Sequence, residues 1–368
     1  MGSRRLPSKR RAGDAAGSEN EVLIGPLCHV AHGTLEGMNV VVAVQDWPAG
    51  AGGTVPSREA ARAVEVAWRR SAPHVEVTAI AVGDGGPRSS DALPGEPLPV
   101  GGAMATSVRD ARVLAPSGSA TRWNPHDLST ALLGIAASAS ASGERVTVVV
   151  PLGDEPPAGD ATDLWGGGLE ALRTALASIT VVALVSASRP LVGFHGMSSA
   201  LRDGREGDLA IGAAAQEQEA RWSAIALAAD AVVGRPGLIG PARLSDVRGS
   251  GAAGGLAYCL AAAGARLTPA SAFLYDLAGA AEAATRANLL VAVTETLTPT
   301  ALDHGLVVPV AAAAGARAVP CVGIAPSVQV GRRDLMAAGV ASAYEAEPGI
   351  NGLAAQVQRV AHTWTPHR

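Results

Sequence analysis

From residue 38 onward the chain alternates short apolar runs with amphipathic stretches in a regular rhythm. Asn39-Val40-Val41-Val42-Ala43-Val44 is a continuous, β-branched apolar run, the pattern of a strand buried on both faces. A Gly/Pro loop, 47–56, leads to a helical pattern that starts at Ser57, a predicted N-cap. It runs through Arg70 with Ala61, Val64 and Trp68 on one face. The run 75–82 predicts the next strand, giving a βαβ unit of parallel-sheet type. The stretch 87–128 is rich in Pro, Gly and Ser and weakly patterned. Beyond it the periodicity predicts helices over 127–140, 169–177, 216–233, 256–266 and 350–363, with Trp222, Ile225 and Ala229 facing inward in the third. Strands are predicted over 145–150, 179–185, 289–294 and 319–325, and no internal repeat interrupts this order.

A chain of 368 residues is long enough for two domains with their own cores. Residues 1–37 lack periodicity and contain the basic run Arg4-Arg5-Leu6-Pro7-Ser8-Lys9-Arg10-Arg11, so they are predicted as a disordered basic tail, with Met38 as a candidate start. The net charge of −4 gives no electrostatic footprint for specific nucleic-acid binding. Lys9 is the single lysine, so any role that needs a fixed cation in the folded body falls to arginine, a backbone nest or a metal ion. Cys28, Cys259 and Cys321 are too widely spaced for a zinc site or a disulfide framework, and the last two read as core residues. No run of 18 apolar residues is present, and the N-terminus has no apolar segment of signal-peptide type. These features predict a cytoplasmic protein with no membrane partner.

The most informative segment is Gly249-Ser250-Gly251-Ala252-Ala253-Gly254-Gly255-Leu256. Its near absence of side chains lets backbone N–H groups approach a ligand, and the helix that follows presents its positive dipole end. That suits a phosphate or carboxylate; tight packing of loop on sheet is the alternative reading. In parallel α/β sheets ligands gather at the carboxyl ends of strands. Four loops lie there: Gln45-Asp46, Asp84-Gly85-Gly86, the segment 154–168, and 249–256. Acidic residues in such places hold Mg²⁺ or accept a hydroxyl proton. Asp84 between its glycines is the first candidate, and Asp160-Ala161-Thr162-Asp163 before Gly166-Gly167-Gly168 is the second, although Asp-Gly pairs also simply make turns. His195 and His304 lie in predicted loops with no partner at metal-ligand spacing. There is no G-x-S-x-G elbow, no Gly-Lys-Ser/Thr phosphate loop, and no dinucleotide fingerprint after the first strand.

In order and content these segments resemble the type I (bacterial) glycerate kinase family over roughly residues 38–345. The family's opening Met-strand ending in Ala-Pro-Asp-Ser is similar to Met38 to Ala43 followed by Val44-Gln45-Asp46. Its Ala-Asp-Gly-Gly-Glu-Gly-Thr resembles Gly83-Asp84-Gly85-Gly86-Pro87-Arg88-Ser89, and its Gly-Ala-Gly-Ala-Ala-Gly-Gly resembles Gly249 to Leu256. Val319-Pro320-Cys321-Val322-Gly323-Ile324-Ala325 is similar to a later family strand. The resemblance implies a two-domain α/β fold: a Rossmann-like domain from 38–95 plus 288–368, with a second α/β domain, 96–287, inserted. It also implies ATP and Mg²⁺ as cofactors, with γ-phosphoryl transfer to glycerate or a related small hydroxy acid. A homodimer stays open.

Carried onto this chain, the resemblance gives Asp84, Asp163 and Glu295 catalytic roles, with Asp84 also on the metal. It assigns Gly85, Gly86, Gly249, Gly251, Gly254, Gly255 and Arg189 to phosphate or substrate. The departures matter as much. The family's Asp-Val-x-Asn-Pro-Leu is Ser186-Ala187-Ser188-Arg189-Pro190-Leu191 here. Its Thr-Gly-Glu-Gly-Arg-Leu-Asp, continuing to Gly-Lys-x-Pro, becomes Val293 to Pro299 and Gly305 to Pro309. Glu295 and Gly305 survive, but Arg, Asp and Lys become Leu297, Pro299 and Leu306. Phosphoryl transfer rests on positioning and charge neutralisation, and one lost charge costs about 10²–10³ in rate. Two expectations follow: an enzyme with a partly eroded site, or a catalytically silent pseudokinase that senses a metabolite or binds a protein.

Overall fold

The computed structural model describes residues 37–365 except 204, 206 and 235–239; the predicted basic tail and Cys28 lie outside the described residues. Two sheets carry the fold. The first is built from β1 (Asn39–Val44) and β2 (Glu76–Ala81) near the start of the chain. A long interval then supplies the second sheet: β3 (Leu98–Val100), β4 (Ala103–Val108), β5 (Ala111–Pro116), β6 (Val146–Pro151), β7 (Ile179–Val185) and β8 (Arg266–Pro269). The first sheet is completed by β9 (Leu289–Val293), β10 (Cys321–Ala325) and β11 (Ser342–Glu345).

The first sheet is wholly parallel, in the order β11-β10-β9-β1-β2. Its strands follow the order 2-1-3-4-5 of a doubly wound sheet, in which the chain reverses direction beside its first strand. Val44 pairs with both Ala81 and Val293, so the carboxyl ends of β2, β1 and β9 finish level. The second sheet runs β8-β7-β6-β5-β4-β3, parallel from β8 to β5 and antiparallel from β5 to β3. This is an α/β architecture in which a second, mixed sheet interrupts a Rossmann-like one.

The buried runs explain the layers. Val40, Val42 and Val44 face the helices Ser57–Ser71 and Ile350–Trp364 through Val64, Trp68, Leu353 and Val357. Val41 and Ala43, on the opposite face, share a core with Val149, Val182 and Leu184 of the second sheet and with Leu274 of a connecting helix. The two sheets therefore meet through one continuous apolar layer. The far face of the second sheet packs on the helices Pro125–Ser142 and Leu256–Ala262. Cys259 and Cys321 are buried in these cores, as their surroundings in the sequence predict.

Several expectations are corrected. Ser57 is the first helical residue, and its N–H donates to Asp46 Oδ1 at 2.7 Å; Pro56 holds the cap position. The weakly patterned stretch 87–128 contains the three strands β3–β5. The predicted helix 256–266 ends at Ala262, because Gly264 turns with φ +107° and Arg266 starts a strand against Val182. The helix predicted from 216 begins at Leu209, where the Asp208 carboxylate accepts from the N–H groups of Ala210 and Ile211. His304 ends a short helix, Pro299–His304, instead of lying in a loop. Among the described residues no helix is long and apolar enough to cross a membrane.

Candidate functional site

The level strand ends place a cleft where the two sheets meet. A cavity of 690 Å³ is lined by Asp46 after β1, Gly83 and Asp84 after β2, Gly153, Asp154 and Glu155 after β6, and Ser186 after β7. That volume is in the range of small-molecule sites, and the carboxyl ends of parallel strands are where such sites form.

Asp84 sits on a tightly tied turn. Its Oδ1 accepts from the Gly86 N–H at 2.8 Å and the Ser89 hydroxyl at 3.0 Å, while the Gly85 N–H donates to Ser89 Oγ at 2.8 Å. Oδ2 has no hydrogen-bond partner among the described residues, and the side chain is exposed to the cleft. Such a carboxylate is oriented by one oxygen and free to bind with the other.

Gly85 and Gly153 join the two sheets. The Gly153 N–H donates to Gly85 O at 2.8 Å, and Gly85 has φ +97°. A Cβ at Gly85 would strike Ser186 Oγ and stand 2.7 Å from Ala270 Cβ; one at Gly153 would stand 3.1 Å from Gly86 Cα. Glycine is required here because two backbones touch. Ser186 itself lines the cavity, and its buried hydroxyl oxygen has no partner among the described residues. In native proteins an orphaned buried polar atom calls for an explanation, and a ligand group is one.

Charge in the cleft is lopsided. Five carboxylates (Asp46, Asp84, Asp91, Asp154 and Glu155) face one lining guanidinium, Arg88. Arg88 is already committed, to Asp91 Oδ2 at 2.9 Å and to the carbonyls of Pro116 and Gly118. Asp154 is held by an ion pair with Arg189, which lies outside the cavity lining. Desolvation against the cleft wall raises the Asp46 carboxyl above its ordinary range; the Ser57 backbone N–H pulls it down, while Asp84 and Asp91 push it further up. Asp46 remains open to the cleft on its outer side. The field favours cations and metal-bound ligands over bare anions.

The other predicted site residues are elsewhere. Asp163 is exposed in the turn Ala161–Trp165 and does not line the cavity. Glu295 is exposed after β9 and is also outside the lining. Beside it, Thr294 and Gln45 are buried and joined by a 2.8 Å hydrogen bond that bridges the ends of β9 and β1. The glycine loop is packed from both sides. The N–H groups of Gly249 and Gly251 both donate to Arg189 O at 3.1 Å, and those of Ser250 and Ala252 to Val247 O and Gly249 O. These four amides are therefore spent within the protein. A Cβ at Gly251 would strike the Pro190 carbonyl, at Gly254 it would stand 3.0 Å from Pro156, and at Gly255 it would run into the Trp222 ring. In this structure close packing, the alternative sequence reading, accounts for these glycines.

The two positions where the resemblance shows a lost cation are filled by core, while Pro299, in place of an acid, is exposed. Leu297 and Leu306 are fully buried, and Leu297 Cδ1 fills the space over Gly323, where a Cβ would stand 2.8 Å away. Asp154 opens the segment 154–168 that the sequence placed at a strand's carboxyl end, whereas Ser57, Ser89, Asp91 and Ser186 are cleft residues that the sequence did not single out for the site. For Ser186 the available signal was its place just beyond a strand's carboxyl end.

Comparison with known proteins agrees with this architecture. The model of the glycerate kinase family matches residues 161–365, more than half of the chain. Two uncharacterised mycobacterial proteins, Mb2228c of Mycobacterium bovis and MT2261 of Mycobacterium tuberculosis, are each 29% identical over 335 residues, 84% of this chain and 84% of theirs. A crystal structure assigned as glycerate kinase 2 from Salmonella typhimurium LT2 superposes with a TM-score of 0.59 at 17% identity, covering 89% of this chain and 98% of that one.

Proposed function

The chain belongs to the glycerate kinase family, and on that premise we propose that its cleft binds a Mg-nucleotide and a small hydroxy acid and transfers a phosphoryl group between them. The observation that carries this reading is Asp84, oriented through Oδ1 and unpartnered at Oδ2, in a cavity at the carboxyl ends of both sheets. Among the described residues no three His, Cys, Asp or Glu side chains gather as a metal cage. Mg²⁺ fits nonetheless, since it takes one or two carboxylates and completes its shell with water and substrate phosphates. Asp84 is the residue placed to hold it. When bound, the ion neutralises charge on the transferring phosphoryl group.

This chain's own groups do the positioning. The Gly85–Gly153 bond holds the two walls of the cleft in register. The Ser186 hydroxyl offers a hydrogen bond to a ligand oxygen. Asp46, whose carboxyl is pushed upward, is the group best suited to accept and return a proton of the acceptor hydroxyl. Asp163, Glu295, Gly254 and Gly255 have no role in this scheme.

A second reading, a pseudokinase that binds without turnover, is favoured by one set of observations. Arg88 and Arg189 are paired, and Leu297 and Leu306 are buried where the family pattern has cations. Steady-state ADP release with Mg-ATP and a panel of small hydroxy acids separates the two readings. The kinase reading expects saturable turnover that Asp84→Asn lowers by about 10²–10³. Turnover no higher than that of Asp84→Asn overturns it and leaves the binding-only reading.

A further inference from the structure

Away from the cleft, two adjoining cavities of 370 and 400 Å³ flank the segment 193–202 and share Phe194, Ser199 and Arg202. They have no lining residue in common with the cleft. Two residues that line the larger one carry a buried polar atom with no partner among the described residues: Ser198, only 3% exposed, at Oγ and Glu219 at Oε2. Glu219 is not loose, because its Oε1 accepts the Gly193 N–H at 2.7 Å and fixes the carboxylate. A buried carboxylate oxygen and a buried hydroxyl without partners are costly, and both are explained if a ligand supplies the missing bonds.

Arg202 lines both cavities and forms no ion pair among the described residues. The larger cavity thus offers one cation without an ion pair and one fixed anion with a vacant acceptor; the smaller one adds Asp203, His195 and Arg189, the last already paired with Asp154. A ligand with one charge of each sign leaves neither group bare, whereas a simple anion leaves Glu219 unmet. We propose that this site binds a free α-amino acid. Its carboxylate meets the Arg202 guanidinium, its ammonium meets Glu219 Oε2, and the Ser198 hydroxyl completes its hydrogen bonds. Phe194 and Ala215 flank the ligand's side chain.

The test is thermal unfolding and calorimetric titration of the full chain with the twenty protein amino acids, one at a time. D-glycerate and L-lactate serve as probes that keep the carboxylate and lack the ammonium. At least one amino acid is expected to raise Tm saturably. Arg202→Ala and Glu219→Gln should each raise its Kd by about tenfold or more, the scale of one charge-assisted contact. Arg202 is exposed, and glutamine at 219 keeps an acceptor for Gly193, so both variants should fold. Ser198→Ala removes no hydrogen bond and should leave the Tm of the free protein unchanged or higher. Asp84→Asn should leave amino-acid binding intact, which separates this site from the cleft. Absence of binding by all twenty overturns the proposal. So does a loss smaller than tenfold in either charge variant, or displacement of the amino acid by either hydroxy acid.

Discussion

Asp84 shows how much one side chain can be made to carry by its neighbours. With Oδ1 held by Gly86 and Ser89, its rotamer is fixed before any ligand arrives, and little ordering is left to be done on binding. It was legible in the sequence because an acid between glycines after a β-branched run marks a strand-end turn. Ser186 was barely legible: its place beyond a strand end is a weak signal until the fold leaves its hydroxyl buried and, among the described residues, unpaired. The same holds for the lost cations. The sequence shows leucines at 297 and 306, and only the structure shows that both are core. Restoring the family's arginine by Leu297→Arg is therefore expected to cost more than about 3 kcal/mol in a denaturation measurement, because the charge is buried without a partner, and to restore no activity. At Asp46 the sign of a pH effect can be worked out. Its carboxyl is raised in the folded state, so it carries no penalty below the unfolded value of 3.8, and a penalty that accumulates as pH rises through the folded value. Asp46→Asn keeps an acceptor for Ser57, so its Tm is expected to match the parent at strongly acid pH and exceed it at neutral pH. Equal Tm values at both would contradict this.

At the scale of elements, the parallel strands β1, β2, β6, β7, β9 and β10 were readable because apolar, β-branched runs have few alternatives, whereas the short, half-exposed β8 and β11 were not. The antiparallel strands β3–β5 were not, since Leu98 and Pro99 are exposed and the turns between strands are short and glycine-rich. The overlong helix at 256–266 has a similar origin: Ala263 and Ala265 continue the apolar pattern, and Gly264 alone carries the stop. The glycine loop was recognised as special, but its glycines contact protein. Gly255→Ala combines a positive φ of +90° with a collision on Trp222, and is expected to lower stability by about 1–3 kcal/mol in chemical denaturation. A second element-level prediction concerns the turn Ala161–Trp165. Its cap is Asp160, which accepts from the Thr162 N–H and hydroxyl and pairs with Arg221. Burial opposes the charged form, but these partners outweigh it and hold the Asp160 carboxyl below its ordinary range. Its contribution is thus present above pH 3.8 and disappears as pH falls through the folded value. Asp160→Ala should cost about 1 kcal/mol at neutral pH, and the gap should close in acid.

For the whole molecule, the consequential fact is that parallel strands of both sheets present their carboxyl ends to one cleft, where the loops beyond them touch through Gly85 and Gly153. The sequence of elements and the family resemblance implied a Rossmann-like domain with a second α/β domain inserted, but the strand order within each sheet came only from the structure. The charge balance of the cleft could not be inferred either, because it depends on which arginines are already bonded to carboxylates and carbonyls. In the proposed function that balance makes the metal central. A cavity with five carboxylates and one committed guanidinium should reject a bare triphosphate and accept its magnesium complex. The most direct test is thermal unfolding of the full chain with ATP and excess Mg²⁺, with ATP and EDTA, and with Mg²⁺ alone, each repeated on Asp84→Asn. A ligand that binds only the native state raises Tm, by about 2.7 kcal/mol of stability at a hundredfold excess over Kd. The account predicts a saturable rise with Mg-ATP that vanishes in EDTA and in Asp84→Asn. An equal rise with metal-free ATP, a rise that Asp84→Asn leaves intact, or no rise at all in well-folded protein would contradict it.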